Sequence, residues 1–401
     1  MATAPESLPF DMPTLLTTEV SSGTAGGQRS ILGEEAKALT REEKWQLLSP
    51  FLCQNGREAL SYATLQAGME YFIDECGYIA FTSVTHPVFA RKTKRIVLSD
   101  PVCAPNDFSK LVRSFLRHHP HAAFVVISEA CADALRPLGF KVNSIGYEPE
   151  IPIQTYNTKG NWKELDLIKR ARNETKRESI RIEEVNIEQV DKEQLDVISA
   201  KWIGTKKVND REIWVYARRA IFEHEEDVRK FVAFDKSGIV VGFAFYDPMY
   251  RDGRVVGYSA NISRCDELRY GRLATAIHME AAEKFREEGK EVLNLCLAPF
   301  VRLDEGKHSD DRATELFFRL SERFGNDIYN FKGLSFHKSK YRAPEKFLYF
   351  ASNSLMPSND VYLAFLSSDI TRSYFLTLWR LLWGMLTQIR RSRAEPQKSH
   401  A

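Results

Sequence analysis

The chain has 401 residues, of which 43% are hydrophobic and 27% are charged, and its formal net charge is +2. This globular composition excludes a disordered or fibrous chain, and the near-neutral charge argues against non-specific coating of nucleic acid, so any polyanion site must be a local basic patch. The length exceeds what one hydrophobic core usually supports, and we therefore expect two domains of roughly 150 to 200 residues each.

The cysteines show neither the spacing of a disulfide framework nor that of a metal site, because there is no CxxC pair and no Cys/His cluster. We therefore expect free thiols, which are normal in the cytosol, and no metal. Residues 1–30 lack an apolar run behind a basic start, so no signal peptide is visible. These features predict a cytoplasmic protein.

The first half begins with a predicted flexible tail over residues 1–39, which contains the stretch SSGTAGGQRS. A first lobe is predicted over residues 40–160. Its predicted helices cover 42–52, 56–67, 107–118 and 129–138, and its predicted strands cover 77–84, 95–102, 122–128 and 140–153.

The second half repeats this order over residues 161–352, beginning with a basic linking helix at 162–178. Three of its strands are joined by the tight turns KSG and RDG. Its predicted strands cover 178–185, 230–235, 239–250, 254–263, 292–298 and 346–350, and its further helices cover 190–203, 209–223, 271–288 and 312–324.

An antiparallel meander that passes into β-α-β-α-β is typical of acyl-transfer folds, in which two central strands splay apart where the activated substrate enters. Because the pattern occurs twice, we predict an α/β (α+β) protein of two lobes, each a mixed, mostly antiparallel sheet flanked by helices. Two unrelated α/β domains remain the alternative.

The linking helix carries the strongest run of basic residues. On a helix, residues three and four apart share a face, and such a face could follow a phosphate backbone. The alternative is an ordinary solvated helix of mixed charge. The candidate RNA-binding residues are Lys169, Arg170, Arg172, Lys176 and Arg177.

A second basic segment, residues 331–350, interleaves cations with aromatic residues. On a strand Lys338, Lys340 and Arg342 would point the same way, beside Phe336 and Tyr341, on which a base could stack. The same lysines could instead protect an edge strand from aggregation.

Residues 258–271 run from a predicted central strand into a helix. Asn261 and Arg264 would lie near the strand end, where acyl-transfer folds place their reacting groups. The Q/R-x-x-G-x-G/A loop that usually holds coenzyme A is not present, so we expect no such cofactor.

The C-terminal residues 369–391 predict an amphipathic helix. Arg380 interrupts its apolar stripe, which disfavours a membrane span and favours an interfacial helix, with anionic lipid as the partner. A helix docked on the protein body is the alternative. The candidate membrane-binding residues are Trp379, Arg380, Trp383, Arg390 and Arg391.

Six motifs in one order resemble the C-terminal domain of phosphatidylglycerol lysyltransferases and related aminoacyl-tRNA-dependent lipid aminoacyltransferases, a tandem GNAT-like fold. The family's L-G-D-P-V, I-G-E-E-A, D-L-M-R, L-G-M-A-P and F-K-E-K-F segments are similar to the sequences LSDPV, IGYEPE, NISR, LCLAP and HKSKY here. The sixth match is the basic helix, and the resemblance covers about residues 56–352.

The resemblance implies an enzyme that transfers an aminoacyl group from aminoacyl-tRNA to a phosphatidylglycerol-like lipid or another membrane-proximal acceptor, at the inner face of the membrane. It implies catalytic roles for Asn261, Arg264, Lys338 and Lys340 and requires no cofactor, metal or DNA. The family's acidic residues are replaced by Asn261 and Ser339, which leaves the general base unassigned, with Asp266 or Glu267 as candidates.

Two alternatives to this function remain open. One is a coenzyme A-dependent N-acyltransferase, and the other is a non-catalytic tRNA- or membrane-binding module of degenerate GNAT type.

Overall fold

The structure is a computed structural model that describes residues 28–156, 166–204, 214–216, 218–324 and 331–370. The chain up to Pro152 forms four helices and seven strands. The helices are α1 (Gly33–Ala38), α2 (Arg41–Asn55), α3 (Phe108–His118) and α4 (Glu129–Leu135), and the strands are β1 (Arg29–Ile31), β2 (Glu70–Asp74), β3 (Gly77–His86), β4 (Ala90–Leu98), β5 (Val102–Cys103), β6 (Ala122–Ile127) and β7 (Lys141–Pro152).

The described residues that follow Pro152 form six helices and seven strands. The helices are α5 (Asp166–Arg177), α6 (Lys192–Gly204), α7 (Leu273–Glu287), α8 (Arg312–Phe324), α9 (Phe331–Ser339) and α10 (Pro357–Ser367), and the strands are β8 (Arg181–Glu184), β9 (Arg229–Phe234), β10 (Val240–Arg251), β11 (Arg254–Cys265), β12 (Val292–Asn294), β13 (Ala298–Pro299) and β14 (Glu345–Ser352).

The strands join into one sheet that runs through both lobes, in the order β1-β2-β3-β4-β6-β14-β7-β12-β11-β10-β9-β8. Among the described strands, only the pairs β4·β6 and β11·β12 are parallel. Each lobe thus has an antiparallel meander that passes into a parallel pair, as the sequence predicts.

The helices cover this sheet with apolar faces. In the first lobe α3 places Leu111, Val112 and Phe115 against the sheet, at the spacing of one helix face. In the second lobe Phe285 of α7 packs on one side of the sheet, while Ile198 of α6 packs on the other. These layers fix the ends of the central strands, where the candidate site lies.

The two lobes exchange strands. β14, which we predicted to close the second lobe, instead lies between β6 and β7 of the first lobe. In return, the end of β7 pairs with β12 of the second lobe. A Cβ atom on Gly146 of β7 would lie 2.2 Å from the carbonyl oxygen of Ala298, so only glycine permits the approach of β13 at this point.

Some predicted elements were wrong. Residues 29–38, assigned to the flexible tail, contain β1 and α1, because β1 pairs with β2, a strand that the sequence analysis missed. The predicted helix 56–67 is a short 3-10 turn at Tyr62–Leu65. The described part of the predicted helix 209–223 is not helical and crosses the first lobe, where Val215 exchanges hydrogen bonds with Gln66.

Candidate functional site

Strands β11 and β12 pair over three residues and then separate. Gly257, Tyr258 and Ser259 pair with Val292, Leu293 and Asn294. A Cβ atom on Gly257 would lie 2.4 Å from the carbonyl oxygen of Val292, so glycine is required where the two strands meet. Beyond this point, no strand pairing between β11 and residues 295–297 is present among the residues that the structure describes. The pairing therefore ends where a splay of the two strands was expected.

A β-bulge in β11 lies just beyond this pairing. Asp247 of β10 pairs with Ser259 and Phe245 pairs with Ile262, so Ala260 and Asn261 together face the single residue Tyr246. Bulges re-aim side chains and are common beside active sites. Here Nδ2 of Asn261 donates a hydrogen bond to Oδ2 of Asp247 at 2.9 Å.

Asp247 belongs to a buried network of charged side chains. Arg218 donates hydrogen bonds to both carboxylate oxygens of Asp247, at 2.6 and 3.1 Å. Arg218 also forms an ion pair with Glu225, and Glu225 forms a second ion pair with Lys230 at 2.8 Å. The guanidinium of Arg218 also lies 5.5 Å from the ring centroid of Tyr62 in the first lobe. Each charge in this network is therefore compensated, and the network joins the two lobes beside the bulge.

Arg264 lies three residues beyond the bulge and is almost buried, with 5% of its surface exposed. Its guanidinium carbon is 5.3 Å from the ring of Trp202 on α6. Burial lowers the pKa of Arg264 to about 10, so the side chain stays charged at neutral pH.

Lys338 lies beside the chain that continues from the other strand of the pair. Its ammonium donates to the carbonyl oxygens of Cys296 at 2.9 Å and Leu297 at 2.7 Å, in the segment that follows β12. Burial lowers the pKa of Lys338 to about 8. Arg264 thus lies on β11 beyond its pairing with β12, and Lys338 contacts the segment that follows β12.

The strand predicted around Lys338 and Lys340 was wrong, because these residues lie on and just after helix α9. The helix turns Lys340 away from Lys338, and its ammonium sits 3.9 Å from the ring centroid of Phe336. Tyr341 is fully buried and donates to Thr275, so its ring is not available for a stacking base.

The chain is similar to known proteins in sequence and in fold. The family model described as phosphatidylglycerol lysyltransferase, C-terminal, matches residues 54–352. The chain belongs to the phosphatidylglycerol lysyltransferase C-terminal domain family. It is an acyltransferase of that family, with the tandem GNAT-like fold that the sequence predicts.

Two solved structures of similar fold carry related descriptions. L-PGS from Bacillus licheniformis matches with a TM-score of 0.64 and 20% identity, over 82% of this chain and 97% of that one. The C-terminal domain of a putative lysylphosphatidylglycerol synthetase from Agrobacterium fabrum matches with a TM-score of 0.63 and 19% identity, over 83% and 100%. No curated protein sequence matches the chain.

A second group of charged residues lies at the junction of the two lobes. Lys346 of β14 binds Glu58, and its ammonium lies 3.5 Å from Glu148 and 4.0 Å from Glu150. Burial raises the pKa of Glu148 to about 7, against the opposing effect of Lys346. Burial and the nearby Glu58 also raise the pKa of Asp100, in the LSDPV motif, to about 7.

Sequence reasoning missed Arg218, Asp247 and Glu148, although two of them left a signal. Asp247 interrupts the apolar strand FAFYDPMY, and Glu148 lies in the apolar stretch IGYEPEIPI. A carboxylate in a buried strand requires a partner or a shifted pKa. Arg218 gave no comparable signal, because it lies in an irregular segment without a periodic pattern that would indicate its burial. The suggested base Asp266 instead pairs with Lys201 at 3.1 Å.

Helix α5 displays most of its predicted basic residues to solvent. Lys169, Arg170, Lys176 and Arg177 are exposed. Arg172 differs, because it binds Glu283 of α7 at 3.3 Å and so helps to attach the helix. Four of the five predicted RNA-contacting residues therefore lie on an accessible surface.

The predicted membrane-binding residues Trp379, Arg380, Trp383, Arg390 and Arg391 lie outside the described residues. None of the helices that the structure describes is both long enough and apolar enough to cross a membrane. Within the same described ranges, no group of three or more His, Cys, Asp or Glu side chains is placed to hold a metal ion.

Proposed function

We propose that this chain transfers an aminoacyl group from aminoacyl-tRNA to a phosphatidylglycerol-like lipid or another membrane-proximal acceptor. The observation that supports the proposal is the end of the β11·β12 pairing, with Arg264 on β11 beyond it and the ammonium of Lys338 against the segment that follows β12. Its relatives of similar fold include a putative lysylphosphatidylglycerol synthetase.

The chemistry suits an acceptor that meets a pre-activated ester. The acceptor oxygen or nitrogen attacks the ester carbonyl carbon, the bond to the ribose oxygen breaks, and the proton of the acceptor ends on that ribose oxygen. No oxidant or external energy source is needed. The protein must therefore position two substrates and stabilise the oxyanion that forms between them.

Arg264 and Lys338 are suited to stabilise that oxyanion. Cations in a water-poor site stabilise developing negative charge more strongly than they would in bulk water. The pKa of Arg264, about 10, and that of Lys338, about 8, keep both groups mostly protonated at pH 7. Asn261, held by Asp247, would orient the substrate by hydrogen bonds and would take no part in proton transfer.

The exposed face of α5 is proposed to bind the tRNA, and residues 369–391 are proposed to attach the enzyme to anionic lipid at the inner face of the membrane. Both assignments rest on charge, since phosphate groups of RNA and of lipid attract Lys and Arg. Deletion of the residues after Ser368 should abolish flotation with anionic liposomes, whereas a docked helix would leave flotation unchanged.

The transfer itself can be tested with the purified full-length chain, tRNA charged with a labelled amino acid mixture, and phosphatidylglycerol vesicles. We expect label in the lipid extract and its loss after RNase treatment of the charged tRNA. Arg264→Gln should abolish the label, while Arg269→Gln should keep it, because Arg269 lies over Tyr270 on the exposed loop. Labelling that survives RNase would refute the donor, and no labelling of any lipid would refute the acceptor class.

A further inference from the structure

We propose that Glu148 accepts the proton of the acceptor during transfer and returns it to the ribose oxygen that leaves. This assignment rests on the proposed function and supplies the base that position 261, an asparagine, cannot provide. The balance is complete within the step: the O–H or N–H proton moves to the carboxylate as the new ester or amide bond forms, and the same proton protonates the leaving oxygen.

Glu148 lies next to the segment that follows β12. Strand β7 pairs with β12 through Glu150 and with β13 through Tyr147, and Glu148 lies between these pairings. It is therefore opposite residues 295–297, the stretch in which the carbonyl oxygens of Cys296 and Leu297 hold Lys338.

The loop after α2 places Glu148 on the same face of the sheet as the bulge. Glu58 of this loop binds Lys346, the cross-strand neighbour of Glu148. The adjacent residue, Ala59, accepts a hydrogen bond from Ser259 of β11 at 2.7 Å. Ser259 in turn pairs with Asp247. Because cross-strand neighbours share a face, the loop spans one surface from Lys346 to the start of the bulge.

The carboxylate of Glu148 also has the hydrogen-bonding capacity that its neighbours lack. Both oxygens of Asp247 are occupied by Arg218, and one also binds Asn261. In contrast, Oε1 of Glu148 makes no hydrogen bond to any residue that the structure describes, although the side chain is 2% exposed, and its nearest cation is the ammonium of Lys346 at 3.5 Å. A buried oxygen without a hydrogen bond is costly even beside a cation, and a substrate hydroxyl or amine would supply that bond.

The charged groups around Glu148 and its burial bring its pKa into the range that a general base needs. Lys346 favours its charged form, whereas Glu58 and Glu150 disfavour it, and burial disfavours it most, so that the pKa rises to about 7. Lys338 is the second ammonium within electrostatic reach. A base is most effective when its pKa is near the working pH.

The first test compares Glu148→Gln with Asp360→Asn, which removes a buried carboxylate paired with Lys94 in the first lobe. Initial rates of transfer are measured from pH 5.5 to 8.5. We expect the wild type and Asp360→Asn to gain activity through pH 7, and Glu148→Gln to lose about 100-fold or more and to lack that rise. A Glu148→Gln rate within a few-fold of wild type, or an unchanged rise, would overturn the proposal.

The second test does not depend on activity. Mass spectrometry measures, as a function of pH, the rate at which acetic anhydride modifies Lys338 in the wild type and in Glu148→Gln. The negative charge of Glu148 raises the pKa of Lys338, so Glu148→Gln should shift the titration of Lys338 to lower pH. An unchanged titration overturns the proposal; a shifted titration in an enzyme that transfers nothing refutes the proposed function instead.

Discussion

The side-chain amide of Asn261 donates to the carboxylate of Asp247 at 2.9 Å, across a bulge just beyond the β11·β12 pairing. Asp247 is completely buried and is held from the other side by Arg218. The neutral residue at position 261 is therefore matched to a charge on the neighbouring strand, and a carboxylate there would meet another carboxylate at hydrogen-bonding distance.

We predict that Asn261→Asp destabilises the fold by about 1 to 3 kcal/mol at pH 8 and by less at pH 5.5. Two adjacent carboxylates raise the pKa of one of them. A carboxyl group whose pKa is higher in the folded than in the unfolded state contributes stability that is present at low pH and is lost as pH rises through the folded pKa.

The measurement is urea unfolding at both pH values. Asn186→Asp is the matched control, because Asn186 is exposed and caps a short turn through its side-chain oxygen, which aspartate retains. Equal losses for Asn261→Asp at the two pH values would contradict the paired-carboxylate argument.

We predict that Arg218→Met costs about 3 to 5 kcal/mol of unfolding free energy, since it leaves Asp247 and Glu225 buried without their main cation. Arg251→Met should cost less than about 1 kcal/mol, because the ion pair of Arg251 with Glu291 is about half exposed to solvent. Chemical denaturation followed by circular dichroism distinguishes the two. A cost below about 1 kcal/mol for Arg218→Met would show that water reaches the network.

The exposed face of α5 should govern tRNA binding. We predict that Lys169→Glu with Lys176→Glu weakens binding by about tenfold or more at low salt and makes the affinity less salt-dependent, because fewer counterions are released from the RNA. Filter binding at two salt concentrations measures both effects.

The control for this experiment is Lys192→Glu, a change on α6, where Lys192 pairs with Asp196 on an exposed turn. If the α5 and α6 variants weaken binding equally per reversed charge, the effect reflects net charge alone and α5 has no special role.

Residues 28–156 should not fold cooperatively when produced alone. Without β14 between them, β6 and β7 lose their shared neighbour, and their backbone donors and acceptors are left unpaired. We expect a broad thermal transition by circular dichroism, which should sharpen when a peptide covering residues 345–367 is added. The same peptide with Phe350→Asp is the control, because Phe350 is buried in the core. A sharp transition without any peptide would contradict this prediction.

The sequence was sufficient for the features that depend on local pattern. Alternating apolar strands, the turns at KSG and RDG and the basic helix predicted the two-lobed architecture. Short motifs singled out Arg264 and Lys338, which the structure places on β11 and on helix α9. The local pattern around Lys338 was ambiguous, because alternating cations and aromatics favoured a strand. The structure instead has helix α9, which contains Lys338 and ends two residues before the buried Tyr341.

Other features depend on contacts between distant residues and left little trace in the sequence. Arg218 meets Asp247 only because an irregular segment crosses the first lobe, and β14 pairs with β6 although more than 200 residues separate them. Glu148 could have been singled out as a carboxylate in a buried strand, but its partners come from a loop, a strand and a helix that the chain brings together only on folding.

The exchanged strand β14 also has a consequence for synthesis on the ribosome. After Pro152 has emerged, the nascent chain holds all seven strands β1 to β7 but lacks β14, which fills the place between β6 and β7. At roughly 5 to 20 residues per second, that edge stays open for about 10 to 40 seconds. The nascent first lobe is therefore prone to aggregation during this interval. Its binding to chaperones should decrease once translation has passed Ser352.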